Sequence, residues 1–110
     1  MTEKEKKFLS DIIYSIELIE NFTKDLKSFG EYKQDLKTKG AVERHLGIIG
    51  EAVNKYLKES NDTDLKNAWQ IISLRNRLIH SYDNVDDSII WSIVTRHLQP
   101  LKNEITKKVQ

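Results

Sequence analysis

From Phe8 to Leu26 the apolar residues recur every three or four positions: Phe8, Ile12, Ile13, Ile16, Ile19, Phe22 and Leu26. That step lines them along one side of a 3.6-residue helix, whereas a strand would need alternation. The rhythm returns three times. Val42, Leu46, Ile49, Val53 and Tyr56 carry it first, flanked by Ala41, Ile48 and Ala52; Leu65, Ala68, Trp69, Ile72 and Ile79 carry it next; and Ile90, Trp91, Ile93, Val94, Leu98, Leu101, Ile105 and Val109 carry it last. Four greasy-sided segments in 110 residues are too little material for two cores, and they bury their faces only against one another. The expectation is an all-α, up-and-down bundle of four main helices, one domain over residues 1–110. One proline and four glycines agree with it.

Local signals punctuate these segments. Thr2 and Glu5 have capping-box spacing. Gly30 is placed to close the first helix. The polar stretch from Glu31 to Lys39, with Tyr32 and Leu36 as its anchors, is open between a loop, a short helical turn and the start of the next helix. Gly47 and Gly50 lie inside the second helix, where each costs on the order of 1 kcal/mol against alanine, so another backbone is expected to approach closely. Glu51 beside them is expected to pair with Arg75. A polar connector from Glu59 to Asp64 leads to a third helix starting near Asp64. Asn76 interrupts that helix's apolar row, either as a hydrogen-bonded core amide or as a residue that positions His80 one turn later; left unpaired there it would cost roughly 1–3 kcal/mol. Ser81 to Asn84 reads as a turn, and Asp86 or Asp87 supplies the acidic start of the fourth helix. Pro100 should kink or split that helix. His97 before it is expected to have no chemical role.

Composition narrows the function. There is no cysteine, which removes disulfides, thiolate chemistry and the commonest structural zinc ligand. A net charge of +1 does not suit a broad duplex-binding surface, so any nucleic-acid contact must be local. The aspartates around Asp86 are more simply helix caps than metal ligands, and no cofactor is implied. No apolar run is long enough to cross a bilayer, and the charged start MTEKEKKF has no signal core behind it, so a cytoplasmic protein is expected.

The end of the third helix reads IISLRNRLIHSY, placing Arg75, Asn76, Arg77, His80 and Tyr82 within eight residues. Arginine offers a permanently charged fork of donors, and histidine exchanges a proton near neutral pH. The pattern R-x4-H-x-Y, with Asn76 after the arginine, resembles the signature of HepT-like proteins in the HEPN superfamily. RHLGIIGEA (Arg44 to Ala52) and IIWSIVTRHLQPL resemble its flanking blocks, with Ser81 standing where glycine is usual.

The chemistry that suits these side chains is metal-independent cleavage of RNA, whose 2′-hydroxyl supplies the nucleophile that DNA lacks. His80 would move the proton and Arg75 would stabilise charge on the phosphoryl oxygens; Asn76 would orient one of them, and Arg77 is a weaker candidate for holding the chain. On an ideal helix positions 75 and 80 are about 140° apart, so a composite site between two copies in a homodimer is expected. The resemblance further implies a toxin neutralised by a nucleotidyltransferase antitoxin of the MntA type, which attaches AMP to the motif tyrosine, here Tyr82. The alternatives are a non-catalytic HEPN module that binds RNA or docks a nucleotidyltransferase, and a purely structural dimerisation bundle.

Overall fold

A computed structural model of the chain describes residues 1–61, 65–80 and 86–110, without the side chains of residues 78–80. Among the described residues the protein is all-α, with six helices: α1 (Glu3–Thr23), α2 (Phe29–Gln34), α3 (Leu36–Ser60), α4 (Trp69–His80), α5 (Asp87–Arg96) and α6 (Leu98–Val109). The four amphipathic segments are α1, α3, α4 and a last segment divided into α5 and α6. The division falls at His97, three residues before Pro100. Proline therefore sits in the first turn of α6, where its missing N–H has no intrahelical partner to lose.

Four of these helices, α1, α2, α3 and α5, start where a side chain accepts from a free N–H group. Thr2 and Glu5 close the expected capping box, with the Glu5 N–H donating to Thr2 Oγ1 over 3.1 Å. Gly30 does not end α1, contrary to expectation: α1 stops at Thr23, and Gly30 lies within α2, whose start is capped by Ser28. Asp35 then caps α3, so the polar stretch after Gly30 is helical on both sides of one break. Its two expected anchors part company there. Tyr32 is fully buried and stacks on Trp91 of α5, whereas Leu36 is 75% exposed. Asp86 caps α5 through the Ser88 N–H, and Asp87 in the first turn meets Lys39 of α3 at 2.7 Å.

α1 and α3 run antiparallel, as Lys4 meets Glu59 at one end and Ser15 meets His45 further along. α6 is antiparallel to α1 on another side, with Lys102 reaching Glu20 at 2.9 Å. The core between them is aliphatic: Leu9, Ile12, Ile16, Ile19, Val42, Leu46, Ile49 and Val53 are buried together with Leu98, Leu101 and Ile105. Burial of a side chain of this size is worth about 1.5–3 kcal/mol against leaving it exposed, which is why the three- and four-residue spacing decides the fold.

α4 departs from the expected register. The helix begins at Trp69 rather than near Asp64, and Glu104 of α6 secures the turn before it by accepting from the Lys66 and Asn67 backbone N–H groups at 2.8 and 3.1 Å. Of the expected row, Leu65 and Ala68 are buried and Ile72 is partly buried against the core, but Trp69 is 73% exposed and Asn76 is exposed; Ile71 and Leu74, outside that row, complete the buried face. Both rows have helical spacing, and contact with α3 selected the one that interlocks with it.

One polar group sits inside the α1–α3 packing. His45 Nδ1 lies 3.2 Å from the buried Ser15 hydroxyl, and its ring packs on Phe22. Burial, with a smaller repulsion from Arg44, holds the imidazole below its ordinary value. The unfolded chain therefore takes up the proton first, so stability is complete above about pH 6.5 and is lost as pH falls below it. Denaturant midpoints measured between about pH 5.5 and 7 should decline toward acid, and His45→Gln should flatten that slope.

Candidate functional site

The site expected from the sequence is built on the second half of α4. Arg75 leaves that helix toward α3, where it meets Gly50. A Cβ built on Gly50 would lie 2.5 Å from Arg75 Cβ, 3.0 Å from its Cδ and 3.1 Å from its Cγ. The absence of a side chain at position 50 is thus what lets the aliphatic stem of the arginine lie flat on α3. A close approach occurs here, though by a side chain and not by the expected backbone, and it does not occur at Gly47, where an added Cβ would meet nothing within 4 Å.

Packing, more than hydrogen bonding, fixes this guanidinium. Its side chain is 21% exposed, and its Nε is buried with no hydrogen-bond partner among the described residues. The expected partnership with Glu51 is present but loose, at 3.9 Å between Nη2 and Oε2. Glu51 is half-exposed and also faces Lys55 at 3.3 Å, so solvent and a competing cation both weaken the pair. An arginine held by its stem, with donors uncommitted among the described residues, suits an incoming anion.

The remaining motif residues distribute differently. Asn76 is exposed, so the reading of it as a buried core amide is wrong, and no burial penalty applies. Arg77 is also exposed and lines a groove between α4 and α5. His80 is the last residue of α4, with its side chain outside the described part, and Tyr82 lies outside the described residues altogether. On the helix wheel position 80 is about 140° from position 75 and about 60° from position 77. The two arginines of the motif therefore belong to different sides of α4: Arg75 to the α3 side, Arg77 to the groove side.

That groove holds residues the motif reading passed over. Trp69, Ser73 and Arg77 form one wall, Ser88 and Ser92 the other, and His97 closes one end. The signal was present as the four-residue step 69, 73, 77. It was obscured because Trp69 also completes an apolar row.

Among the described residues no group of histidine and acidic side chains could hold a metal ion, and no helix is long and apolar enough to cross a membrane. The family described as "Ribonuclease HepT-like" matches residues 12–107. A Thermococcus cleftensis protein named "Probable ribonuclease HepT" is 35% identical over 97% of each chain. Two Methanocaldococcus jannaschii proteins carrying the name "Putative RNase" are 39% identical over 79% of this chain and 72% of theirs, and 35% identical over 91% and 92%. No solved structure matches the chain.

Gly47 and Gly50, both in α3, make opposite predictions. Gly50→Ala forces a methyl group against Arg75 Cβ, which cannot swing away because it is fixed to the α4 backbone. Overpacking of this kind costs roughly 1–3 kcal/mol, and the helix-propensity gain of about 1 kcal/mol does not offset most of that range. Gly47→Ala meets open space and keeps the gain. Thermal unfolding should show Gly47→Ala at or above the parent midpoint and Gly50→Ala below it.

Proposed function

The chain belongs to the HepT-like ribonuclease family, and on that premise we propose that it is a metal-independent endoribonuclease whose motif side chains act at a cleft between two copies. The ribose 2′-oxygen attacks the adjacent phosphorus, the bond to the 5′-oxygen breaks, and the products are a cyclic phosphate and a free 5′-hydroxyl. His80 takes the 2′-hydroxyl proton or supplies one to the leaving oxygen, a role worth about 10²–10⁴-fold. Arg75 stabilises the charge that grows on the non-bridging oxygens, and Asn76 orients the phosphate or the imidazole.

The observation that carries this reading is the state of Arg75. Its stem is clamped on Gly50, while its head meets one distant carboxylate. Glu51 acts as a weak tether that an entering phosphate displaces, since a bidentate arginine–phosphate contact is far stronger than a half-exposed pair at 3.9 Å. The 140° between positions 75 and 80 is the reason to place the reaction between two protomers. An arginine from one and a histidine from the other can flank one linkage that neither chain reaches alone.

By family likeness we extend the proposal to regulation. The protein acts as the toxin of a pair, and a nucleotidyltransferase antitoxin of the MntA type adds AMP to Tyr82. A nucleotide attached two residues beyond His80 would bring negative charge to the place where RNA must bind, and so repel it.

Cleavage of a single-stranded RNA should persist in a chelator, and the DNA strand of the same sequence should stay intact. His80→Ala should lower the rate by about 10²–10⁴-fold and Arg75→Ala comparably, with the fold retained. Unchanged cleavage by purified His80→Ala protein would leave a non-catalytic HEPN module as the reading. Mass spectrometry of protein produced together with a nucleotidyltransferase should place AMP on Tyr82 and on no other residue.

A further inference from the structure

The groove between α4 and α5 encloses about 410 Å³, within the range that takes a ligand of nucleotide size. Its floor is apolar, from the buried Leu74 and Ile93. Its walls are different. Trp69 stands 73% exposed at one end of the α4 wall, Ser73 follows one turn on, and Arg77 one turn beyond that. Among the described residues no acidic side chain lines it and Arg77 makes no ion pair. The other tryptophan, Trp91, is partly buried and stacks on Tyr32.

The direction of this wall is its most informative feature. At 100° per residue, position 80 lies about 20° from both 69 and 73 around the α4 axis and about 60° from 77. The row of an aromatic, a hydroxyl and a cation therefore runs along the same face that ends at His80, over about 16 Å of helix. Arg75 lies on the opposite side, against α3. A tryptophan face stacks on any base, and a nearby arginine holds the backbone that joins the bases; this is the usual equipment of a groove that takes single-stranded nucleic acid.

We propose that the α4–α5 groove seats the single-stranded RNA segment leading to the scissile linkage, with Trp69 stacking a base, Arg77 holding a phosphate, and Ser73 and Ser92 donating hydroxyls along the strand. The proposal rests on the ribonuclease reading and deepens it. It divides the work of the two arginines: Arg75 serves the reacting phosphate, and Arg77 serves a neighbouring one. An A-form duplex, whose bases are stacked inside, offers Trp69 no free face.

The test uses full-length His80→Ala protein, so that RNA binds without being cut, titrated with a short single-stranded RNA while tryptophan emission and anisotropy are followed. Quenching is expected with the single strand and not with the duplex. Adding Trp69→Ala should remove the quenching and raise Kd by about 5- to 150-fold, and Trp69→Tyr should restore most of the affinity. Arg77→Gln should weaken binding and reduce the salt slope by about one. In the active protein, Trp69→Ala should raise KM more than it lowers kcat, the reverse of His80→Ala. Trp69→Ala with Kd, KM and quenching unchanged overturns the groove while leaving the nuclease reading intact, provided that His80→Ala remains inactive. Wild-type cleavage by His80→Ala overturns the nuclease reading instead. If Trp69→Ala and Arg77→Gln shift the sedimentation of the protein but not its RNA binding, the groove is a contact between copies and the proposal is wrong.

Discussion

The contact between Gly50 and the stem of Arg75 is where the packing of this bundle and the placement of its chemistry become the same problem. Helices with ordinary side chains at both contact positions keep their axes about 8–10 Å apart. With no side chain at position 50, the space it would take is filled by the Cβ and methylenes of the arginine itself. The charged head is thereby carried to the rim of the interface at a fixed place. Long cations often pack this way, with an apolar stem and a solvated end. Here the stem is locked and the head is only loosely paired, which combines positional order with available charge.

The rest of the fold secures the start of α4 and the helix that follows it. Glu104 on α6 holds the turn before α4 through two backbone N–H groups. Beyond the motif, Asp86 starts α5, and the short Lys39–Asp87 pair ties its first turn to α3. Those two side chains are largely covered, so the pair is less screened than the exposed ones along α1. The result is a helix whose start is tied to α6, followed by a helix tied to α3, while one side of α4 faces an open groove. A helix supported in this manner can present one face to solvent without losing its register.

Much of this was legible in the residues. The apolar rhythm gives helices and little else, the capping box at Thr2 was readable as such, and the partnership of Glu51 with Arg75 followed from having a lone acid beside glycines that invite a close neighbour. What misled was ambiguity between rows. From Ala68 onward, Ile71 and Leu74 have as good a claim to be the buried side of α4 as Trp69, Ile72 and Asn76, because both continuations obey the same period. Gly30 was misread for a related reason: glycine is a stop signal only when the chain needs a left-handed residue, and here Asn61 alone among the described non-glycine residues has positive φ.

Taken by itself, the order of residues determined that this chain is helical and where its four long amphipathic segments lie, and it offered candidate side chains for acid–base chemistry on a phosphate. These are properties of spacing and of functional groups, and they need no neighbour to define them. Tertiary structure alone decided which side of α4 is buried, and with it that Arg75 points to α3 while Arg77 lines a groove with Trp69. The physical reason is that a helical period specifies a set of equivalent faces, and only the shape of the adjoining helix, here the gap at Gly50, breaks the tie between them.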